Sequence, residues 1–378
     1  MRLAMLLIIT LLVTSGAAAQ TALLDTPLFQ LNDDGGLVSL GSFGTGTIPA
    51  TGPGARLMWH PKKAAFRAGL VQSTKWDEAN VGDYSVAMGI NTTASGEVST
   101  AMGNLTTASG LNATALGAVT EASGEASTAM GFQTTASGLN TTAMGDRTEA
   151  GGEAATALGR LAEASGEAST AMGLGTTASS QASTAMGQLT TANGTIATAM
   201  GFGTTASGFY SVATGYNTTA SGVLSTTLGQ FSTAQAYASL VLGRYNVIAG
   251  NPDSWVSSDP VLVVGNGSDD ANPSNALVLL KNGNLTIAGT LTQNSDRRLK
   301  QDIHPLTNAA ANLGRLQPVR YRFREGTNRP EGEHLGLIAQ EVEAVFPELV
   351  SEGALPGGVL HESGGGPRAG AQRATDRD

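Results

Sequence analysis

Along the middle of this chain, small apolar and polar residues alternate in short bursts such as Ser-Thr-Ala-Met-Gly, and the bursts return every fourteenth residue. Twelve glycines, from Gly89 through Gly103 and onward to Gly243, keep that spacing without a slip. Ala-Met or Ala-Leu stands just before nearly every one, as in Ala87-Met88, Ala101-Met102 and Ala115-Leu116. Halfway between comes a second phrase, Thr-Ala-Ser-Gly or Glu-Ala-Ser-Gly, whose alanine is constant from Ala94 and Ala108 to Ala234. Alternation with period two predicts strands, and the glycines mark bends between them. Fourteen residues cannot hold two helices. Each repeat therefore reads as one coil of two short strands and two tight turns, stable only when stacked on its neighbours. At roughly 4.8 Å per stacked strand, twelve coils predict a rod of about 55–60 Å.

The residue before each glycine is the one bulky apolar site of the coil, Met or Leu everywhere except Thr214. It is expected to face the constant alanine across a thin interior. Ala, Ser and Thr on the outer faces would let several rods approach closely, so the rod is expected to be one of a bundle. A disordered Ser/Thr/Gly tract is the alternative, and strict phasing over so many repeats opposes it.

The phrases Tyr84-Ser-Val-Ala-Met-Gly89 and Ser-Thr-Ala-Met-Gly at this spacing resemble the head of YadA-like trimeric autotransporter adhesins, over about residues 82–243. The resemblance implies a left-handed parallel β-roll, three of which make a trimeric head.

Cysteine is absent, which removes disulfides, thiolate metal sites and a cysteine nucleophile. A net charge of −9 argues against a nucleic-acid partner, and aromatic residues at 5% are few for a compact enzyme. Nothing calls for a cofactor or metal. Residues 1–19 read as a secretory signal: Arg2, an apolar run from Leu3 to Val13, and small residues at Ala17 and Ala19 fitting a cleavage site. That run is too short to span a bilayer. The mature chain is expected to be exported, with no membrane-spanning segment and no alternating strands of an outer-membrane barrel, which the adhesins carry.

Residues 20–81 read as a cap and lead-in, with Trp59 and Trp76 covering the first coil and a ligand site around Trp59, His60 and Trp76 as the alternative. Eight Asn-x-Ser/Thr triplets occur, among them Asn91, Asn112, Asn140 and Asn217. They are read as turn residues chosen for backbone tolerance rather than as glycan acceptors. Residues 244–290 read as a β neck with Asn-Gly turns, in which the apolar run Val261–Val264 suggests a strand buried on both faces.

The candidate chemistry follows. In Ser295-Asp296-Arg297-Arg298-Leu299-Lys300, the serine could be a nucleophile and the lysine its general base, if burial or the adjacent arginines favour the neutral amine. Leu316–Phe323 reads as a strand. In His334–Pro347, Leu335, Ile338, Val342 and Val345 fall at a/d spacing, which predicts a helix ended by Pro347. Ser-Asp-Arg-Arg-Leu-Lys, that strand and Gly-Leu-Ile-Ala-Gln-Glu-Val together resemble the endosialidase-type intramolecular chaperone of phage tail spikes, over about residues 291–350. The resemblance implies a domain that trimerises, guides folding of the fibre before it, and cuts itself off at the serine. The catalytic roles would fall on Ser295, Asp296 and Lys300. Residues 351–378 depart from that family, being rich in Gly, Pro and Arg. A frameshift in the coding DNA is the expected cause, which resequencing tests.

Together these readings describe a mainly β, secreted homotrimeric surface fibre, adhesin-like, with a small α+β chaperone domain, acting on host or extracellular surfaces. If it is an enzyme at all, it is a single-turnover self-cleaving serine peptidase. The alternative is a phage-derived tail fibre serving host recognition. A third reading is an ice- or mineral-binding rod, from the paired threonines Thr92-Thr93 and their repeats, of which one row would face outward.

Overall fold

A computed structural model describes residues 29–31, 37–292, 295–324 and 332–350. The expected signal at 1–19 and the atypical tail at 351–378 lie outside these. The chain divides after Leu291 into two compact units.

The first unit is built on a parallel β-solenoid with fourteen residues per coil. Each coil contributes one five-residue strand and one two-residue strand, from Val86–Ile90 with Thr93–Ala94 to Thr226–Gln230 with Thr233–Ala234. Like stacks on like. Met88 pairs with Met102, Gly89 with Gly103 and Ala94 with Ala108, and the register holds along both ladders. Each glycine before a corner is held by this stacking. Gly145 has φ +132°, and a Cβ on it would lie 1.8 Å from the Gly159 carbonyl oxygen in the next coil.

The interior differs from expectation. In the first coil the buried residues are Ser85, Ala87, Thr92 and Ala94, and later coils repeat this set with Ala, Ser or Thr, apart from Val241 in the last. Met and Leu before the glycines point outward: Met102 is 37% exposed where Ala101 is 0%. The expected Met-facing-Ala core is therefore overturned. Two backbones stacked this closely leave room only for side chains of about alanine to threonine size, and alternation sends each methionine to the opposite face from its alanine. The small residues thus fill the core, and a row of Met and Leu runs down the outer face of the long-strand sheet. Of the paired threonines, Thr92 and its repeats turn inward, while Thr93 and its repeats form an outward row interrupted by Glu121, Glu149 and Glu163.

Every seventh residue from Tyr84 to Tyr245 has positive φ, between 43° and 62°, giving each coil two left-handed corners. Asn91, Asn112, Asn140 and Asn217 all occupy such corners, in agreement with their reading as turn residues. Val98, Val119 and Ile196 occupy them too, where a β-branched side chain is strained. Ile196→Asn is expected to stabilise the solenoid by about 1 kcal/mol, read as an upward shift of the thermal or denaturant midpoint.

Both ends are closed. The hairpin Gly54–His60 and Ala65–Val71 continues the long-strand sheet before the first coil, with Arg67 in register with Ala87. The fully buried Arg67 enters the interior there. Its guanidinium donates to the Ser85 carbonyl at 2.9 Å, the Ser85 hydroxyl at 2.8 Å and the Ala94 carbonyl at 2.9 Å. Burial pushes its pKa down to about 10, so it stays charged at neutral pH. Trp76, also fully buried, packs on Met58 and Val71 and donates from its indole nitrogen to the Thr92 carbonyl at 2.8 Å.

At the other end the repeat continues after an insertion. Pro260–Asn266 pairs in parallel with Leu240–Arg244 and sets Gly265 on Gly243, twenty-two residues on instead of fourteen. Asn275–Leu280 and Leu285–Ile287 then finish the sheet as antiparallel strands, turning at Asn282-Gly283 as the sequence predicts. Val261–Val264 is not buried on both faces. Only Val263 of the four is buried, as in an ordinary half-covered strand. Partly exposed rings reinforce this end: Phe202 stacks on Tyr216 at 5.0 Å, Tyr216 meets Phe231 edge-on at 5.2 Å, and Phe231 stacks on Tyr245 at 4.8 Å. Such pairs add about 0.5–1.5 kcal/mol each.

The second unit holds short elements: helix Ala309–Leu313, antiparallel strands Val319–Tyr321 and His334–Gly336, and helix Ala339–Glu343. The predicted helix over 334–347 is thus shortened, because Leu335 belongs to a strand paired with Arg320. Phe346 is the one buried hydrophobic residue among those described here, whereas Leu299, Leu306, Leu335 and Leu349 are exposed.

Candidate functional site

Ser295 and Lys300 are five residues apart, and a single turn brings them together. Arg297–Leu299 forms one turn of 3-10 helix with Asp296 as its N-cap and Lys300 as its C-cap. Asp296 fixes the turn: its Oδ1 accepts from the Arg298 backbone N–H at 2.8 Å. The Arg298 guanidinium donates back to the same carboxylate at 2.7 Å. At the far end the Lys300 backbone N–H donates to the Arg297 carbonyl at 3.1 Å. Across this turn the Lys300 Nζ donates to the Ser295 Oγ at 2.6 Å.

Hydrogen bonds from Arg298 hold the Asp296 carboxyl below the usual carboxylate range, so it is ionised at neutral pH. Both of its oxygens accept from Arg298, so in this arrangement Asp296 caps and pins the turn. The same ion pair changes the expected role of the arginines. Arg298 is paired with Asp296 at 2.7 Å, so its charge is already balanced by that carboxylate.

Chemically, a serine hydroxyl in contact with an amine is a nucleophile and its potential base. Both side chains are exposed in the single chain. That geometry supplies the proton path but not a dry setting.

The other sequence candidates do not converge. Trp59 and His60 are neighbours on one strand and point to opposite faces, Trp59 exposed and His60 fully buried. His60 bonds Glu78 at 2.8 Å, and Trp76 is engaged with Thr92. These are parts of the solenoid's closed end. The feature that sequence reading missed is the outward row of Met and Leu. Its signal was present: the alanine row admits only Thr227 and Val241 as exceptions, as a size-limited interior does, while its neighbour varies among Met, Leu and Thr.

Similarity to known proteins follows the same division. Residues 81–245 match the family model of the YadA head domain repeat. Residues 295–351 match the chaperone of endosialidase. The order is repeats first, chaperone second. Ser295 is the first residue of the second match. Part of the chain is also similar to the long tail fiber protein Gp37 of Salmonella phage S16, 32% identical over 130 residues, covering 29% of this chain and 17% of that protein. The chain thus spans about a sixth of the length of that relative. These likenesses support a fibre- or adhesin-like protein of the extracellular or surface class. Among the described residues no helix is long and apolar enough to cross a membrane.

Proposed function

We propose that this chain is a secreted homotrimeric surface fibre, adhesin-like, whose C-terminal unit assists trimer folding and then releases itself at Ser295. The observation that carries the proposal is the outward Met/Leu row, unbroken from Met88 to Met200, on a solenoid whose own interior is lined by small residues and has no place for these side chains. A strip of large apolar side chains of that length on a folded rod marks an interaction surface. A second copy carrying the same row is its natural complement, because parallel rods with one repeat match coil for coil. The second unit makes the same demand. It exposes most of its leucines and has little core of its own, which leaves a unit of this size marginal without partner copies.

Cleavage would proceed in two balanced steps. The Ser295 Oγ attacks the carbonyl carbon of a peptide bond adjoining it, and Lys300 takes the hydroxyl proton. The carbon–nitrogen bond breaks, and Lys300 returns the proton to the leaving amine. Water then hydrolyses the ester and restores the serine. Burial of the pair between copies would favour the neutral amine that the first step needs, so cleavage is expected to follow assembly.

Sedimentation of the signal-less protein tests the fibre reading: three chains per particle are expected, and a stable monomer would refute it. The similarity to a long tail fiber protein favours one other reading, a phage-derived fibre in which the same modules serve host recognition. Neighbouring genes for phage particles would select that reading.

A further inference from the structure

Thr92, Thr106, Thr120, Thr134, Thr148, Thr176, Thr190, Thr204 and Thr218 form a column down the solenoid interior, one per coil, interrupted by Ala162. The hydroxyl of every one is buried and makes no hydrogen bond to protein. Most of the serine column beside it is partnered: Ser99, Ser127, Ser183 and Ser239 each donate at 2.7 Å to the carbonyl three residues earlier, while Ser169 and Ser211 share the threonines' lack of a protein partner. Buried hydroxyls are nearly always partnered, and leaving one without a partner is destabilising. Repeated nine times in register, that penalty would rival the stability of an ordinary domain.

One coil shows what the interior can hold. Where the alanine row carries Thr227 and the threonine row carries Ser232, the two hydroxyls lie 2.7 Å apart, both buried. Compared with Ala213 and Thr218 one coil earlier, one side chain gains a methyl and a hydroxyl and the other loses a methyl. The net addition is one oxygen. At that coil the interior therefore admits an extra oxygen at hydrogen-bond distance from the column. Spacing supplies the rest. Stacked strands lie about 4.8 Å apart, too far for successive threonine hydroxyls to bond each other, yet right for a single water to bridge two at about 2.8 Å each.

We propose that the solenoid encloses a file of ordered water molecules, each bridging the hydroxyls of two successive threonines. The file has two runs, four bridges from Thr92 to Thr148 and three from Thr176 to Thr218, separated at Ala162. It ends where Thr227 provides the oxygen covalently. At one end Arg67 enters the interior and donates to Ser85 and Ala94 of the first coil, and at the other Asn246 sits next after Ser232, with its carboxamide bonded to Thr233 N–H at 2.8 Å and to Thr233 O at 2.9 Å. Buried water of this kind is part of the fold, since removing it exposes the same polar groups again.

The substitution Thr134→Val tests this by its sign, since it keeps the side-chain shape and removes the hydroxyl. With bridging waters the thermal midpoint falls by a few degrees, because two bridges lose a partner. With a dry interior it rises, because an unpartnered hydroxyl is replaced by a methyl. A rise overturns the proposal. A second measurement does not depend on any variant folding: water-17O relaxation dispersion of the unsubstituted protein, where about seven long-lived internal waters per chain are expected from the bridges counted above, and their absence overturns it. The pair Ala129→Thr with Thr134→Ser moves the Thr227–Ser232 arrangement into mid-rod, and is expected to lower that number while keeping the midpoint near its original value.

Discussion

Ser295→Ala is expected to leave the protein as a single full-length species, where the unsubstituted protein yields two fragments divided next to residue 295. The expectation rests on the 2.6 Å contact between Ser295 Oγ and Lys300 Nζ across one turn. No other side chain is bonded to that hydroxyl among the described residues, so its loss removes the only nucleophile the site offers. Lys300→Ala should also abolish cleavage, since the hydroxyl loses its proton acceptor and the departing amine its proton donor. Both rates should drop at least a hundredfold, read by intact mass after assembly. Lys300→Arg is the more discriminating variant. It keeps the charge and the donor to Ser295 but cannot shed its proton. If Lys300 merely holds the serine in place, Lys300→Arg will still cleave. If Lys300 is the base, it will not. Trimers that stay full length in the unsubstituted protein would remove self-cleavage from the proposed function and leave the fibre standing.

The solenoid was legible because a fixed period constrains everything that stacks. Fourteen residues, two strand phrases and glycine at one phase admit few architectures, and Gly145 shows why the phase cannot slip: any side chain there would meet the next coil's backbone. What sequence could not give was the sense of the strand. In Ser-Thr-Ala-Met-Gly either Ala or Met must face inward, and alternation alone does not say which. Choosing the larger apolar residue for the core is the usual rule, and it fails here because the interior is too narrow for methionine.

The closeness of Ser295 and Lys300 was legible from spacing and resemblance, whereas the bonding of Asp296 was not. Its position beside the serine suggested participation in the chemistry, and only the bonds to Arg298 show a carboxylate spent on capping and pairing. The helix expected over 334–347 is shortened to Ala339–Glu343 for a related reason. A 3.6-residue pattern in Leu335, Ile338, Val342 and Val345 is compatible with a helix, but pairing of His334–Gly336 with Val319–Tyr321 takes the first of these into a sheet.

Charging the outward row should have the largest effect on assembly. Met144→Lys with Met172→Lys places two ammonium groups per chain within the strip, on coils whose own interiors contain only Ala, Ser and Thr. The single rod should tolerate both, because each methionine is already 36–39% exposed and makes no part of the buried core. In a trimer the same changes bring six like charges onto a shared apolar surface, which costs several kcal/mol in desolvation and repulsion. The expected result is a monomeric solenoid with unchanged β circular dichroism, lowered thermal stability and no trimer in sedimentation. Substituting Thr135→Lys and Thr177→Lys on the opposite, short-strand sheet adds the same charge away from the row and should leave the trimer intact. Loss of assembly in both pairs would point to net charge rather than to this surface. Assembly retained in the methionine pair would mean that the row faces solvent or a different partner. In that case, the contact between copies would have to lie in the exposed leucines of the second unit, where Leu335→Lys is the equivalent change.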